Sequence, residues 1–390
     1  MRNLRAIQLV SAAALTLMSA SALAQGVIKL GLVGEFSGPF AQYGQQILGG
    51  MKAYMKANGD TVAGKKIEIV QKDTTGPSPD TAKRLAQELV TRDNVDILVG
   101  FGLTPNALAV APVATEAKKL MVIMNAATSI ITTKSPYIVR VSMTLPQVTQ
   151  PMAVWAARNG IKKVYTVVAD YGPGLDAEKA FSDAFKAAGG EIVGSIHTPL
   201  QNPDFGPFIQ RVKDARPEAV FLFLPAGEQG IAFMKGYEER GLKQAGIKLI
   251  ATGDITDDGV LEAMGDPTLG LITSFHYSAA HNSPENTAFK KAYSEANGDK
   301  LRPNFMAAAG YDGMVVIYEA LKKTNGSTDG DKLLAAIKGM KFASPRGPIM
   351  IDPETRDVVQ TVYIRKVEKV GGSLYNVEFD KFPDQKDPGK

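Results

Sequence analysis

The sequence contains no cysteine among its 390 residues. Disulfides, thiol nucleophiles and cysteine–metal centres are therefore excluded. Histidine is almost as scarce. His197, His276 and His281 are the only three, and none stands four residues from another histidine. A zinc site or a nucleophile–histidine–acid triad has little to build on, so no metal and no catalytic set are expected. Concentrated charge is missing too. The formal charge is +4 with no basic run or stripe, so nucleic acid is not an expected partner. No G-x-G-x-x-G or G-x-x-x-x-G-K follows an apolar strand pattern, and no cofactor is expected.

Long apolar runs are also absent, except at the N-terminus. Arg2 and Arg5 precede "AIQLVSAAALTLMSA", which falls short of the about 20 residues that span a bilayer comfortably. Small residues at Ala22–Ala24 follow, so residues 1–24 read as a cleavable signal peptide for export to the periplasm. No cysteine stands there to carry a lipid. Without that segment about 366 residues remain, with a formal charge of +2, enough for two domains.

What is present is an alternation of short β-rich runs and longer helical patterns. "VIKLGLVG" (27–34), "KKIEIVQKD" (65–73), "VDILVG" (95–100) and "LMVIMN" (120–125) are each followed by a helical or loop segment. In "SPDTAKRLAQELVTRD", Ala82, Leu85, Ala86, Leu89 and Val90 recur at helical spacing. Nearly continuous Val/Ile/Leu runs separated by helices indicate parallel strands covered on both faces. The pattern then restarts with "KKVYTVVADYG" (162–172), "EIVGSIHTPL", "EAVFLFLPAG" (218–227) and "KLIATGD" (248–254). Two tandem α/β lobes, each a doubly wound parallel sheet, are the economical reading. "GLITSFHYSAA" (270–280) reads as a strand returning to the first lobe. "GPIMIDPETRDVVQTVYIRKVEK" alternates like antiparallel strands ending in a hairpin, and the tail "DKFPDQKDPGK" is expected to fray.

Ligands of open α/β sheets bind beyond the carboxyl ends of the strands. The loops "GEFSGPFAQYG", "GFGLTPN", "MNAATS", "ADYGPG", "LPAGEQG" and "TGDITDD" all lie at such ends. Facing lobes would make them the walls of a cleft.

"GLVGEFSGPFAQYGQQILGGMKAYM" resembles the N-terminal signature of periplasmic solute-binding proteins of the leucine/isoleucine/valine type, which serve ABC importers. The likeness continues through "DILVGFGLTPNALAVAPVA", "MVIMNAATS", "VVADYGPG" and "AAGYDGMVVIYEAL". It implies the type I fold, with two lobes joined by a multi-strand hinge. Residues 25–143 with 276–349 would form one lobe, 144–275 with 350–385 the other, and 386–390 a tail. It further implies a monomer that meets the importer's permease subunits and performs no catalysis.

Site residues carry over where positions match. Thr104 would offer a hydroxyl to a ligand carboxylate. The Ala127 carbonyl and Thr128 would serve an ammonium, and Tyr43 would cover the apolar part of the ligand. Tyr171 and Asp254 would contribute from the second lobe. Phe101 and Tyr277 are further candidates for the walls. Each has a plainer alternative: Thr104 could cap the helix that starts near Pro105, Asp254 could cap the next, and the aromatics could be core. Many amino-acid binders of this type carry a tyrosine in the loop where this chain has Pro225 and Ala226. The expected ligand is a small hydrophobic carboxylate, either a branched-chain amino acid or an aromatic acid such as a benzoate or cinnamate derivative. A sensing module of the same fold is the alternative role.

Overall fold

The computed structural model describes residues 26–389. The expected signal peptide lies outside them. Among the described residues, β1 (Val27–Gly34), β2 (Thr61–Val62), β3 (Lys65–Asp73), β4 (Ile97–Gly100), β5 (Met121–Ile123) and β6 (Ile138–Arg140) form one sheet, in the order β2-β3-β1-β4-β5-β6. All neighbours are parallel except the short edge strand β2. Helices α1 (Ala41–Asn58), α2 (Pro79–Thr91) and α3 (Thr104–Glu116) make the crossovers. Every residue of β4 and β5 is buried, as an all-apolar strand covered on both faces requires.

After α4 (Leu145–Arg158) the arrangement repeats. Strand β7 (Lys163–Ala169) leads into α5 (Gly172–Ala187), and β8 (Glu191–Thr198), β9 (Ala219–Phe223), β10 (Lys248–Thr252) and β11 (Ile272–Phe275) follow. These run parallel in the order β8-β7-β9-β10-β11. In both sheets the chain leaves the first strand on one side and returns on the other. The loops therefore part between β1 and β4, and again between β7 and β9, which opens a crevice at the carboxyl ends of those strands.

The run "GLITSFHYSAA" does not return to the first lobe as a strand. Its strand, β11, pairs with β10 and, antiparallel, with a C-terminal strand, so it belongs to the second sheet. The chain reaches the first lobe beyond it, through helix Phe305–Lys323 packed on α1. There Gly50 faces the Ala307 carbonyl and Gly310 faces that of Ile47, so closely that a Cβ on either glycine would overlap backbone. The "GG" at positions 49 and 50 thus includes a helix-packing residue.

The C-terminal strands β12 (Lys341–Ser344), β13 (Gly347–Ile351), β14 (Val358–Val370) and β15 (Ser373–Gln385) are antiparallel, with β14 and β15 forming the hairpin that the alternation called for. Two buried ion pairs tie this region to the first lobe, Arg140–Asp357 at 2.7 Å and Arg346–Asp312 at 3.0 Å. Such charges tolerate burial because each is paired and further hydrogen-bonded. The expected fraying of the tail is not seen in its described part, because Lys386 and Asp387 are held. Asp387 accepts from the hydroxyls of Ser129 and Thr144, both at 2.9 Å, and Lys386 pairs with Asp352.

Candidate functional site

Gly100 and Phe101 both take left-handed backbone, at φ +103° and +64°. The Phe101 N–H donates to Val33 and its carbonyl accepts from Ala126, which locks this turn between β1 and β5. The ring of Phe101 enters the core formed with α2 and α3, among Ala82, Ala86 and Val110. Gly102 and Thr104, not Phe101, then face the cleft.

A cavity of about 20 Å³ lies where the two lobes meet, lined by Tyr43, Gly102, Thr104, Asn125, Ala127, Met143, Leu145, Tyr171, Pro173, Phe223 and Asp254. Small-molecule sites typically enclose about 300–1,000 Å³, so with the lobes this close the cavity has room for little more than a water, and a guest enters only as the lobes or the lining side chains give way. Five of the eight residues expected from sequence line it: Tyr43, Thr104, Ala127, Tyr171 and Asp254. Thr128 stands behind the wall, bonded to Thr104. Phe101 and Tyr277 do not line the cavity. Tyr277 is fully buried behind the crossover, where its hydroxyl donates to Asn286 and its ring packs edge-on to Phe289.

Thr104 is not a helix cap. The residue before it, Leu103, holds the cap position, and Thr104 opens α3 with its hydroxyl 3.0 Å from that of Thr128. Two hydroxyls carry two protons and only one lies between them, so the pair retains a donor. The N-terminal N–H groups of α3 add a positive partial charge beside it. Behind this corner Arg140 donates to the carbonyls of Ala126 and Thr128, both at 2.9 Å, holding the loop backbone in place. The Ala127 carbonyl, expected to serve an ammonium, already accepts from Leu145 N at 3.0 Å.

The opposite lobe supplies an acid. Asp254 sits in the short 3-10 turn Gly253–Thr256 after β10, with one oxygen accepting from the Thr252 hydroxyl at 2.8 Å. Burial pushes its carboxyl up to about 7. Tyr171 precedes α5 and stacks on Phe223 with ring centroids 6.1 Å apart. The hydroxyl of Tyr43 reaches across to the Ala226 carbonyl at 3.4 Å, so the two lobes touch over the cavity. Beyond that contact a wider opening is bordered by Phe40, Leu200, Phe205 and Gln229.

Two polar residues at the site were not singled out from sequence. Asn125 lines the cavity. Glu35, directly after β1, is fully buried, with Oε1 accepting from Asn106 and Thr74 and Oε2 lying against Gly102 without a hydrogen-bond partner. Burial pushes its carboxyl up to about 7 as well. Its signal in the sequence was an acid placed at the very end of an apolar strand.

The family model for periplasmic binding proteins matches residues 27–372. This chain belongs to that family. Within it, the chain is similar to "Leu/Ile/Val-binding protein homolog 6" from Brucella melitensis, 46% identical over 95% of this chain and 96% of the relative. Among solved structures it is similar to a solute-binding protein of an ABC transporter from Rhodopseudomonas palustris BisB5 in complex with 3,4-dihydroxybenzoic acid. That structure is 57% identical with a TM-score of 0.90, covering 93% of this chain and 99% of the other. A second such protein, from Rhodopseudomonas palustris HaA2 in complex with p-hydroxybenzoic acid, is 46% identical at a TM-score of 0.91, with the same coverage. The type I fold and the membership of the ABC-transporter binding proteins, read from motifs, are thereby established, and the family places the chain's work in the periplasm. The matched proteins are solute binders, not enzymes.

Proposed function

We propose that this protein captures a hydroxylated aromatic carboxylate, of the hydroxybenzoate class, by hinge closure and delivers it to the permease subunits of an ABC importer. The observation that carries this reading is the division of chemistry across one small cavity. The Thr104 hydroxyl at the start of α3, backed by that of Thr128, faces it from the first lobe and a buried acid from the second, between aromatic walls. The carboxylate of the guest takes the donors of Thr104 and the helix start, while Asp254 accepts from a ring hydroxyl. Tyr43, Tyr171 and Phe223 cover the ring faces and edges. No lysine or arginine lines the cavity among the described residues, so the anion is held by neutral donors and a helix terminus. Because the guest touches both lobes, it binds the closed form better and shifts the hinge equilibrium toward it.

The ligands named for the two Rhodopseudomonas palustris proteins support this class. A branched-chain amino acid is the second reading, favoured by the name of the Brucella melitensis relative and by Asp254 as an ammonium partner. Against it stands the Ala127 carbonyl, already engaged by Leu145. Thermal-shift measurements on the mature protein decide between them, since a ligand that binds the native state raises the midpoint. A rise with 4-hydroxybenzoate and none with leucine or valine is expected. The reverse pattern would overturn the aromatic assignment.

A further inference from the structure

Asn125 follows β5, between two residues whose backbone N–H groups are both fixed: Met124 donates to Gly100 and Ala126 to Phe101. The side chain is 7% exposed and lines the cavity. Its amide nitrogen donates to the Gly102 carbonyl at 2.7 Å, and its amide oxygen has no hydrogen-bond partner. The Gly102 bond decides which way the amide faces. A flipped amide would set oxygen against the carbonyl oxygen of Gly102, so nitrogen must take that side. Oxygen is left as a fixed, buried acceptor in the wall of a ligand cavity.

A buried acceptor without a partner costs free energy until something donates to it. None of that cost is incurred if the guest brings the donor. The cavity then presents two acceptors from opposite lobes, the Asp254 carboxyl and the Asn125 amide oxygen, besides the donors that suit a carboxylate. A monohydroxybenzoate can satisfy one of them and a dihydroxybenzoate both. We infer that Asn125 is a specificity-determining residue whose amide oxygen accepts from a second ring hydroxyl, so that the site prefers dihydroxylated over monohydroxylated benzoates. This inference rests on the aromatic-acid reading of the same cavity. A site that hydrogen-bonds a hydroxyl discriminates against the analogue lacking it, because the protein group is then left unpaired.

The test is calorimetric titration of the mature protein with 3,4-dihydroxybenzoate, 4-hydroxybenzoate and 3-fluoro-4-hydroxybenzoate. The fluorinated acid fills much the same space as the dihydroxy acid but offers no second donor. The dihydroxy acid should bind roughly five- to ten-fold more tightly than either of the others, the effect of one additional buried hydrogen bond. In Asn125→Ala that ratio should fall toward one. The ligand-side comparison in the unaltered protein stands even if the variant folds poorly. Equal affinity for the dihydroxy and fluoro acids, or a preference that survives in Asn125→Ala, would overturn the inference while leaving the aromatic reading intact. Binding of leucine with no benzoate bound at all would overturn both.

Discussion

Thr104 and Thr128 share one proton across 3.0 Å, and what they offer a guest is the proton left over. Thr104→Val removes that donor and should weaken every carboxylate ligand by roughly ten-fold, consistent with about 1.5 kcal/mol for a hydrogen bond to a charged group. Calorimetry on benzoate and 4-hydroxybenzoate would show the loss equally for both. Asp254→Asn should behave differently, costing 4-hydroxybenzoate more than benzoate because only the former has a ring hydroxyl. The raised carboxyls of Asp254 and Glu35 also set a pH dependence. An unfolded carboxyl titrates near 4. Between about pH 4 and about 7 the native state keeps protons that the unfolded chain releases, so their contribution to stability is complete below that window and lost as pH rises through it. Asp254→Asn removes its share, so urea unfolding should show the variant gaining on the parent protein from pH 5 to pH 8. Thr104 and Asp254 were legible in the sequence because each polar residue follows an apolar strand at its carboxyl end. Phe101 was not, because nothing in its name announces a left-handed φ that turns the ring into the core. Asn125 was not singled out within "MNAATS", since an unpaired amide oxygen is visible only in three dimensions.

At the scale of elements, the helix pair α1 and Phe305–Lys323 depends on two glycines that let backbones touch. Gly50→Ala or Gly310→Ala should destabilise the first lobe by about 1–3 kcal/mol through overpacking, measured as a lower denaturation midpoint. The tail gives a milder effect. Removing residues 386–390 deletes the acceptor for Ser129 and Thr144 and the Lys386–Asp352 pair, and should lower the melting temperature by a few degrees, at about 1 kcal/mol. The long strands were readable from their continuous apolar runs. α4 was hidden because Pro146 and Pro151 interrupt its pattern, although Pro146 sits harmlessly in the first turn. β6 has only three residues. The sheet that β11 joins is a matter of pairing partners, which a single run of residues does not encode. The tail looked polar and unstructured because its strand, β15, is an exposed edge whose hydrogen bonds to β14 leave no apolar signature.

The whole molecule repeats one strand order in two sheets, and that repetition was legible in the two successive βα series. The closeness of the halves was not. It depends on contacts between residues far apart in sequence, such as the 183 positions that separate Tyr43 from Ala226. Similarly, Ser129 N donates to Asp176 of α5 at 2.9 Å, beside the threonine pair. Asp176→Ala should therefore favour the open form, seen as a larger radius of gyration in solution scattering and a weaker affinity for 4-hydroxybenzoate.

The Tyr43–Ala226 contact has a kinetic consequence. A guest seated behind it can arrive or depart only while the halves stand apart. The observed capture rate should climb with concentration and then level off at the frequency with which the protein parts its lobes. Its slowest step then belongs to the host, whichever acid is waiting outside.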